Sequence, residues 1–133
     1  MTDRELDALI AEKVMGWRDI ATDGVSVYGH LPPGTEPHLN VTRAGNGFYH
    51  IKRYSTSIAD AWEVVERMRE LSFVLTLSWQ SRNSEWCAHW FYPADRTHKA
   101  AFHKSAPRAI CLAALKTIGV DVDLNTSKKQ SNA

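Results

Sequence analysis

Nothing in this 133-residue chain approaches the run of roughly 20 apolar residues that a membrane-crossing helix needs. The first residues, Thr2-Asp3-Arg4-Glu5, are polar and acidic, so no secretion signal is expected and the protein is expected in the cytoplasm. Charge of one sign is lacking as well. Sixteen basic and 15 acidic residues leave a net +1, so no overall field gathers nucleic acid, and Lys128-Lys129 is too short a run to supply one. Cysteine is scarce: Cys87 and Cys111 both fall inside apolar patterns and are expected as buried free thiols rather than a disulfide.

The motifs of metal and covalent chemistry are missing too. Neither His-Glu-x-x-His nor Cys-x-x-Cys occurs, so the six histidines (His30, His38, His50, His89, His98 and His103) are expected to be solvated or merely hydrogen-bonded. A two-histidine phosphoesterase would need two His-x-Ser/Thr tripeptides on adjacent strands. Only His103-Lys104-Ser105 fits, in what reads as a linker before a helix. There is no Gly-x-Ser-x-Gly elbow, and Gly45-Asn46-Gly47 is not followed by the Gly-Lys-Ser/Thr of a phosphate loop. No catalytic residue, metal or cofactor is implied.

What is present is ordinary globular material, 44% apolar and 23% charged, enough for one domain over residues 1–121 with a disordered polar tail at 122–133. Thr2 and Glu5 fit a capping box, after which Leu6, Leu9, Ile10, Val14 and Trp17 recur at helical spacing until Gly16 stops the first helix. Residues 22–50 hold five of the seven glycines and three of the five prolines. That excludes a regular helix and leaves short strands at Val25–Tyr28 and Gly47–Ile51. So long a loop suits a binding role, a neutral insertion being the alternative.

Ser57 with Asp60 opens a second helix, with Ile58, Ala61, Trp62, Val65, Met68 and Leu71 inward and Glu63, Glu66, Arg67 and Glu70 toward water. Alternation at Phe73–Gln80 and Trp86–Tyr92 around the turn Ser81-Arg82-Asn83-Ser84 predicts a hairpin with Trp79 and Trp90 facing the core. Asp95–Lys104 reads as a polar connection, and a third helix runs from Ser105 to Gly119 with Pro107 in its first turn. An α–loop(β)–α–β–β–α order buries its helices only against a sheet. Two strands are marginal alone, so others, from the middle loop or a second subunit, should complete it.

Three stretches, Glu12-Lys13-Val14-Met15-Gly16-Trp17, the capped block from Tyr54 to Glu66, and Ser105 to Leu115, appear in an order that resembles the phage α/β/α ("ABA") sandwich domain family. The resemblance implies an α+β fold, a compact α/β/α sandwich with three helices around a small antiparallel sheet. It also implies a phage protein at work in the cytoplasm of its bacterial host. The family carries no assigned reaction. It often has an acid where this chain has Ser57.

The residues themselves offer a binding constellation. Arg53-Tyr54-Ser55-Thr56 and Ser105-Ala106-Pro107-Arg108 each place hydroxyls and an arginine at a helix start, where unpaired N–H groups and the macrodipole favour anions. The expected ligand-binding residues are Trp17, Arg53, Tyr54, Ser55, Thr56, Ser105 and Arg108: arginines for phosphate, hydroxyls for its oxygens, an aromatic ring for a base. They favour a non-enzymatic protein, expected as a homo-oligomer, that sequesters a nucleotide-derived, phosphate-containing immune signal and so counters host defence. A hydrolase of such a signal, using His98 or His103 beside Ser105, and a module that grips a host protein are the alternatives.

Overall fold

The computed structural model of the chain describes residues 1–35 and 41–120; His38 and the expected tail at 122–133 lie outside them. Helix α1 (Asp3–Ile10) passes directly into a π-helical turn (Ala11–Met15). There follow β1 (Arg18–Thr22), β2 (Val27–His30), β3 (Arg43–Gly45), β4 (Phe48–His50), α2 (Ile58–Glu70), β5 (Val74–Gln80), β6 (Glu85–Tyr92), β7 (Thr97–His103) and α3 (Ala106–Thr117). Three helices and two antiparallel sheets make an α+β sandwich, with strand orders β1-β2-β4-β3 and β5-β6-β7.

The helix starts follow from their caps. Thr2 Oγ1 accepts from Glu5 N–H at 3.1 Å while Glu5 Oε1 accepts from Thr2 N–H at 2.7 Å. Ser57 Oγ accepts from Asp60 N–H at 3.2 Å, and Ser105 Oγ from Arg108 N–H at 3.4 Å. Each cap satisfies a donor that the helix cannot pair internally. At the other end of α1 the chain turns through Gly16, whose φ of 86° lies in the left-handed region that glycine alone adopts without strain.

Against the second sheet, α3 lies over β6 and β7 with α2 beside it. Ala109, Ala113 and Ala114 are fully buried, and their small side chains let the helix come down close on Trp90 and Ala101. Trp90 is 1% exposed, and its indole N–H finds no acceptor among the described residues.

Several expectations need correction. The supposed polar connection before α3 contains a strand. Thr97-His98-Lys99-Ala100-Ala101-Phe102-His103 pairs along its whole length with β6, and only Ala101 is buried, which is why apolar patterning missed it. This edge strand, not the middle loop or a second subunit, completes the three-stranded sheet; the middle loop builds a sheet of its own. Trp62 and Trp79 are about half exposed rather than core-facing; Trp62 falls on the flank of α2, one position past Ala61 and outside the buried stripe, and Trp79 is next to last in β5. On α2 the buried face is Ala61, Val64, Val65 and Met68, while Ile58 and Leu71 lie outside it.

One acidic residue of α1 is fully buried. Asp7 accepts from Arg4 Nη1 at 2.6 Å and from the backbone N–H of Ser55 at 2.7 Å. Cys87 and Cys111 are free thiols; Cys111 is buried and donates to Tyr54 O at 3.3 Å, while Cys87 is only half-buried. Burial pushes the Cys111 thiol far above its ordinary pKa, with Asp7 adding to the effect.

Two outcomes are expected. Asp7→Ala strands the buried Ser55 N–H and takes from Arg4 its carboxylate partner, and should cost about 3 kcal/mol in urea unfolding; a loss under about 0.5 kcal/mol would show that the carboxylate is dispensable. In a Cys87→Ser variant, a thiol reagent should label nothing in the native state and one thiol after unfolding, because reaction requires the thiolate.

Candidate ligand-binding site

Where the π-helical turn ends at Gly16, a cavity of about 540 Å³ opens between α2, the chain after β2 and the irregular segment before α2. Trp17 and Tyr54 form part of its lining, with Leu31, Pro32, Pro33 and Val41 as an apolar wall. The Trp17 indole N–H donates to Tyr54 Oη at 3.2 Å, and both residues are almost wholly buried. Burial drives the Tyr54 phenol pKa far up, against the smaller opposite pull of the Trp17 N–H. Tyr54 is therefore neutral across the physiological range and can still donate its own proton.

Charge enters this cavity in pairs. Lys52 Nζ meets Glu63 Oε2 at 2.6 Å, with the lysine side chain only 7% exposed. Arg67 Nε donates to Val14 O in the π-helical turn at 3.2 Å, and its Nη1 meets Glu70 Oε1 at 3.2 Å. Glu63, Arg67 and Glu70 thus line a hollow, and Glu70 also keeps the exposure expected of it, with 69% of its side chain in solvent. Their spacing of four and three along α2 was the signal available; nothing in the sequence marked Lys52.

Lys52 also borders a second, more polar cavity of about 450 Å³, with Arg4, His50, Arg53 and Asp60. Arg53 N–H donates to Asp60 Oδ2 at 2.9 Å. Its guanidinium is exposed and has no hydrogen-bond partner among the described residues.

The remaining sequence-derived candidates lie elsewhere. Ser55 is buried and donates through Oγ to Asp3 O at 3.1 Å. Arg108 pairs with the Asp3 carboxylate through Nη1 and donates from Nη2 to Met1 O at 3.1 Å. The two helix starts do converge, but on the first turn of α1, whose Asp3 stands between them. Thr56 is exposed in the turn before α2, and Ser105 is spent as the cap of α3.

No histidine pairs with a nucleophile in the first cavity, and no cluster of three metal-ligating side chains occurs among the described residues. His30 stacks on Phe48 at 4.2 Å and meets Asp19 at 2.8 Å. His103, now the last residue of β7, accepts from Ser105 N–H at 3.0 Å through Nδ1. Partial burial, and then Arg108, lower its pKa from the ordinary 6.5, so the folded state favours the neutral ring. Its contribution is present above about pH 6.5 and is lost as pH falls through the lower folded value. His103→Ala should therefore flatten the fall in melting temperature between pH 7 and 5. An unchanged slope would show that other groups carry it.

No curated protein matches this chain. The crystal structure at 2.0 Å of a phage protein from Bacillus cereus ATCC 14579 is similar to it, with a TM-score of 0.61 and 26% sequence identity over 92% of each chain. The family model described as the phage ABA sandwich domain matches residues 8–115, which takes in α2, nearly all of α3, both sheets and the whole lining of the first cavity. The stretch from Glu12 to Trp17, the block from Tyr54 to Glu66 and the stretch from Ser105 to Leu115 all fall inside that match, and the chain belongs to the phage ABA sandwich domain family.

Proposed function

We propose that this protein is a binding protein that captures a small nucleotide-derived molecule carrying phosphate. The observation that carries the proposal is the adjacency of two unlike cavities that share Lys52. One has an aromatic and prolyl lining suited to a base or another flat apolar group; the other presents the Arg53 guanidinium, which has no hydrogen-bond partner among the described residues. Together they offer an apolar body with a few placed polar groups in the size range of small-molecule sites. Charge-assisted hydrogen bonds from Arg53 fit a phosphate oxygen, and the neutral Tyr54 hydroxyl fits an acceptor on the ligand.

Capture rather than turnover is favoured because the first cavity offers no nucleophile beside a base: its carboxylates are engaged with Lys52 and Arg67, and its phenol is held neutral. The family's phage character supports the nucleotide signals of bacterial immunity as the ligand class, and sequestration as the use. The cation in this reading is Arg53, with Trp17 and Tyr54 beside it. Ser55 and Arg108 shape the segment that carries them.

The test mixes the protein with cyclic nucleotides and ADP-ribose derivatives, records melting shifts, and recovers the ligand after denaturation. A shift with intact ligand returned is expected. Arg53→Ala should weaken binding about 5- to 150-fold, the equivalent of about 1–3 kcal/mol, while Arg108→Ala should lower stability and leave affinity unchanged. Ligand altered at sub-stoichiometric protein would make it a hydrolase. No shift across the panel would sink the reading.

A further inference from the structure

The pair of cavities does not end at His50. A third hollow of about 350 Å³ lies over the outer face of the first sheet, and it shares Ser26 and His50 with the polar cavity. Lys52 joins that polar cavity in turn to the one beside Trp17 and Tyr54. Local structure lays the three compartments out in a row. Val27 and Ile51 point inward, and Ile51 N–H carries the β2–β4 pairing one residue further. Phe48, His50 and Lys52 then fall two apart along about 13 Å of chain. On α2, Asp60, Glu63, Arg67 and Glu70 recur at three and four, a stripe about 15 Å long that runs from the polar cavity into the apolar one.

The compartments alternate in chemistry. Both outer ones are built on aromatic rings, Trp17 and Tyr54 in the first. In the third, Tyr28 stands opposite His50 across the β2–β4 pair, and Phe48 meets Tyr28 edge to face at 5.6 Å. The turn Gly45-Asn46-Gly47 brings the Asn46 amide to the same hollow, with no hydrogen-bond partner among the described residues. An amide is donor and acceptor in one side chain, and such a group reads the edge of a base whose face lies on a ring. Asp23, beside it, is spent on the N–H groups of Val25 and Ser26. Positive charge collects in the middle compartment. Arg4 is tied to Asp7 and to the Ile51 and Lys52 carbonyls, and Asp60 to Arg53 N–H. That leaves Arg53, the His50 imidazole and the Glu63-bound Lys52 to face a guest.

Ring, charge, ring is the order of a dinucleotide. A mononucleotide, with one base and its phosphate, occupies two compartments and leaves the other unused. A longer strand would need a track of cations beyond the third, and a net charge of +1 supplies none. Resting on the nucleotide capture argued above, we propose that the ligand is a dinucleotide. One base lies against Trp17 and Tyr54, the phosphate linkage meets Arg53 and Lys52, and the second base lies over Tyr28 and Phe48 with its edge toward Asn46.

Titration calorimetry of the full chain tests this with 5′-phosphorylated dinucleotides of each base, their cyclic forms and the matching mononucleotides. At least one dinucleotide should bind about 10-fold or more tightly than its mononucleotide, the smallest preference that a well-placed second base explains. Phe48→Ala should weaken that dinucleotide about 5- to 150-fold, the worth of one stacked base, and erase most of the preference. Phe48→Leu, which keeps apolar bulk without a ring face, serves if the alanine variant melts early. Arg53→Ala should weaken dinucleotide and mononucleotide alike. Equal affinity for the two, or a preference that both Phe48 variants leave intact, overturns the two-base ligand while capture of a phosphorylated nucleotide stands. Binding of none of them takes both down.

Discussion

The arrangement depends on how a buried, irregular stretch of backbone satisfies its polar groups. Residues 51–57 belong to no helix or strand, yet Ile51, Lys52, Tyr54 and Ser55 are buried. Such a segment must find a partner for each buried N–H and C=O or forfeit about 1–3 kcal/mol apiece. The partners come from every side. Ile51 N–H reaches Val27 O in β2, and Ile51 and Lys52 carbonyls accept from Arg4. Ser55 N–H reaches Asp7, and Tyr54 O accepts from Cys111 in α3. Arg53 N–H and O are taken by Asp60 and by the turn that leads into the Ser57 cap. Helix α1, helix α3 and the first sheet are thereby fastened to one strap, and the strap holds Tyr54 against Trp17.

From this it follows why the two sheets stay apart. A continuous sheet would need the strap to extend into a strand and pair its edge, but its hydrogen-bonding groups are already spent on α1 and α3. The first sheet is left small, with strands of three to five residues, and it meets α1 through β2. The second sheet takes the helices, because alanines on α3 let backbone approach backbone over Trp90. The cavities open at the seam between these halves.

What the sequence made legible was whatever depends on neighbours within a few residues. The three caps, the stop at Gly16, the β5–β6 hairpin and the short strands near Tyr28 and Tyr49 all announce themselves locally. Contacts across the fold did not. Asp7 sits in a polar, acidic first helix and reads as solvated until Ser55, 48 residues on, is brought to it. Strand β7 alternates too weakly to declare itself, since an edge strand over a small-residue helix needs little apolar surface. Trp62 and Trp79 belong to apolar patterns yet stay about half exposed, Trp62 because the stripe that α2 buries runs through Ala61, Val64, Val65 and Met68 instead. Of the site, Trp17 and Tyr54 were found through their place beside a glycine stop and a cap. Lys52, Glu63 and Arg67 were hidden because a charged residue at a cavity wall is spelled like one at the surface.

That wall bears on function more than on stability. Taking an ammonium group out of water costs several kcal/mol, and replacing a buried pair by apolar side chains is often neutral or stabilising. Lys52 is nevertheless held at the boundary of both cavities, bonded to a Glu63 that keeps a third of its side chain in solvent. A fold selected only for stability would have filled the hollow beneath the prolines with leucine and dropped the ion pair. Retaining an open space lined by an indole, a neutral phenol and a lysine whose partner can be exchanged is the kind of cost that proteins bear at functional sites. The same reasoning separates this region from the α1–α3 contact, where Arg108, Asp3 and Ser55 close on one another and leave no space for a guest.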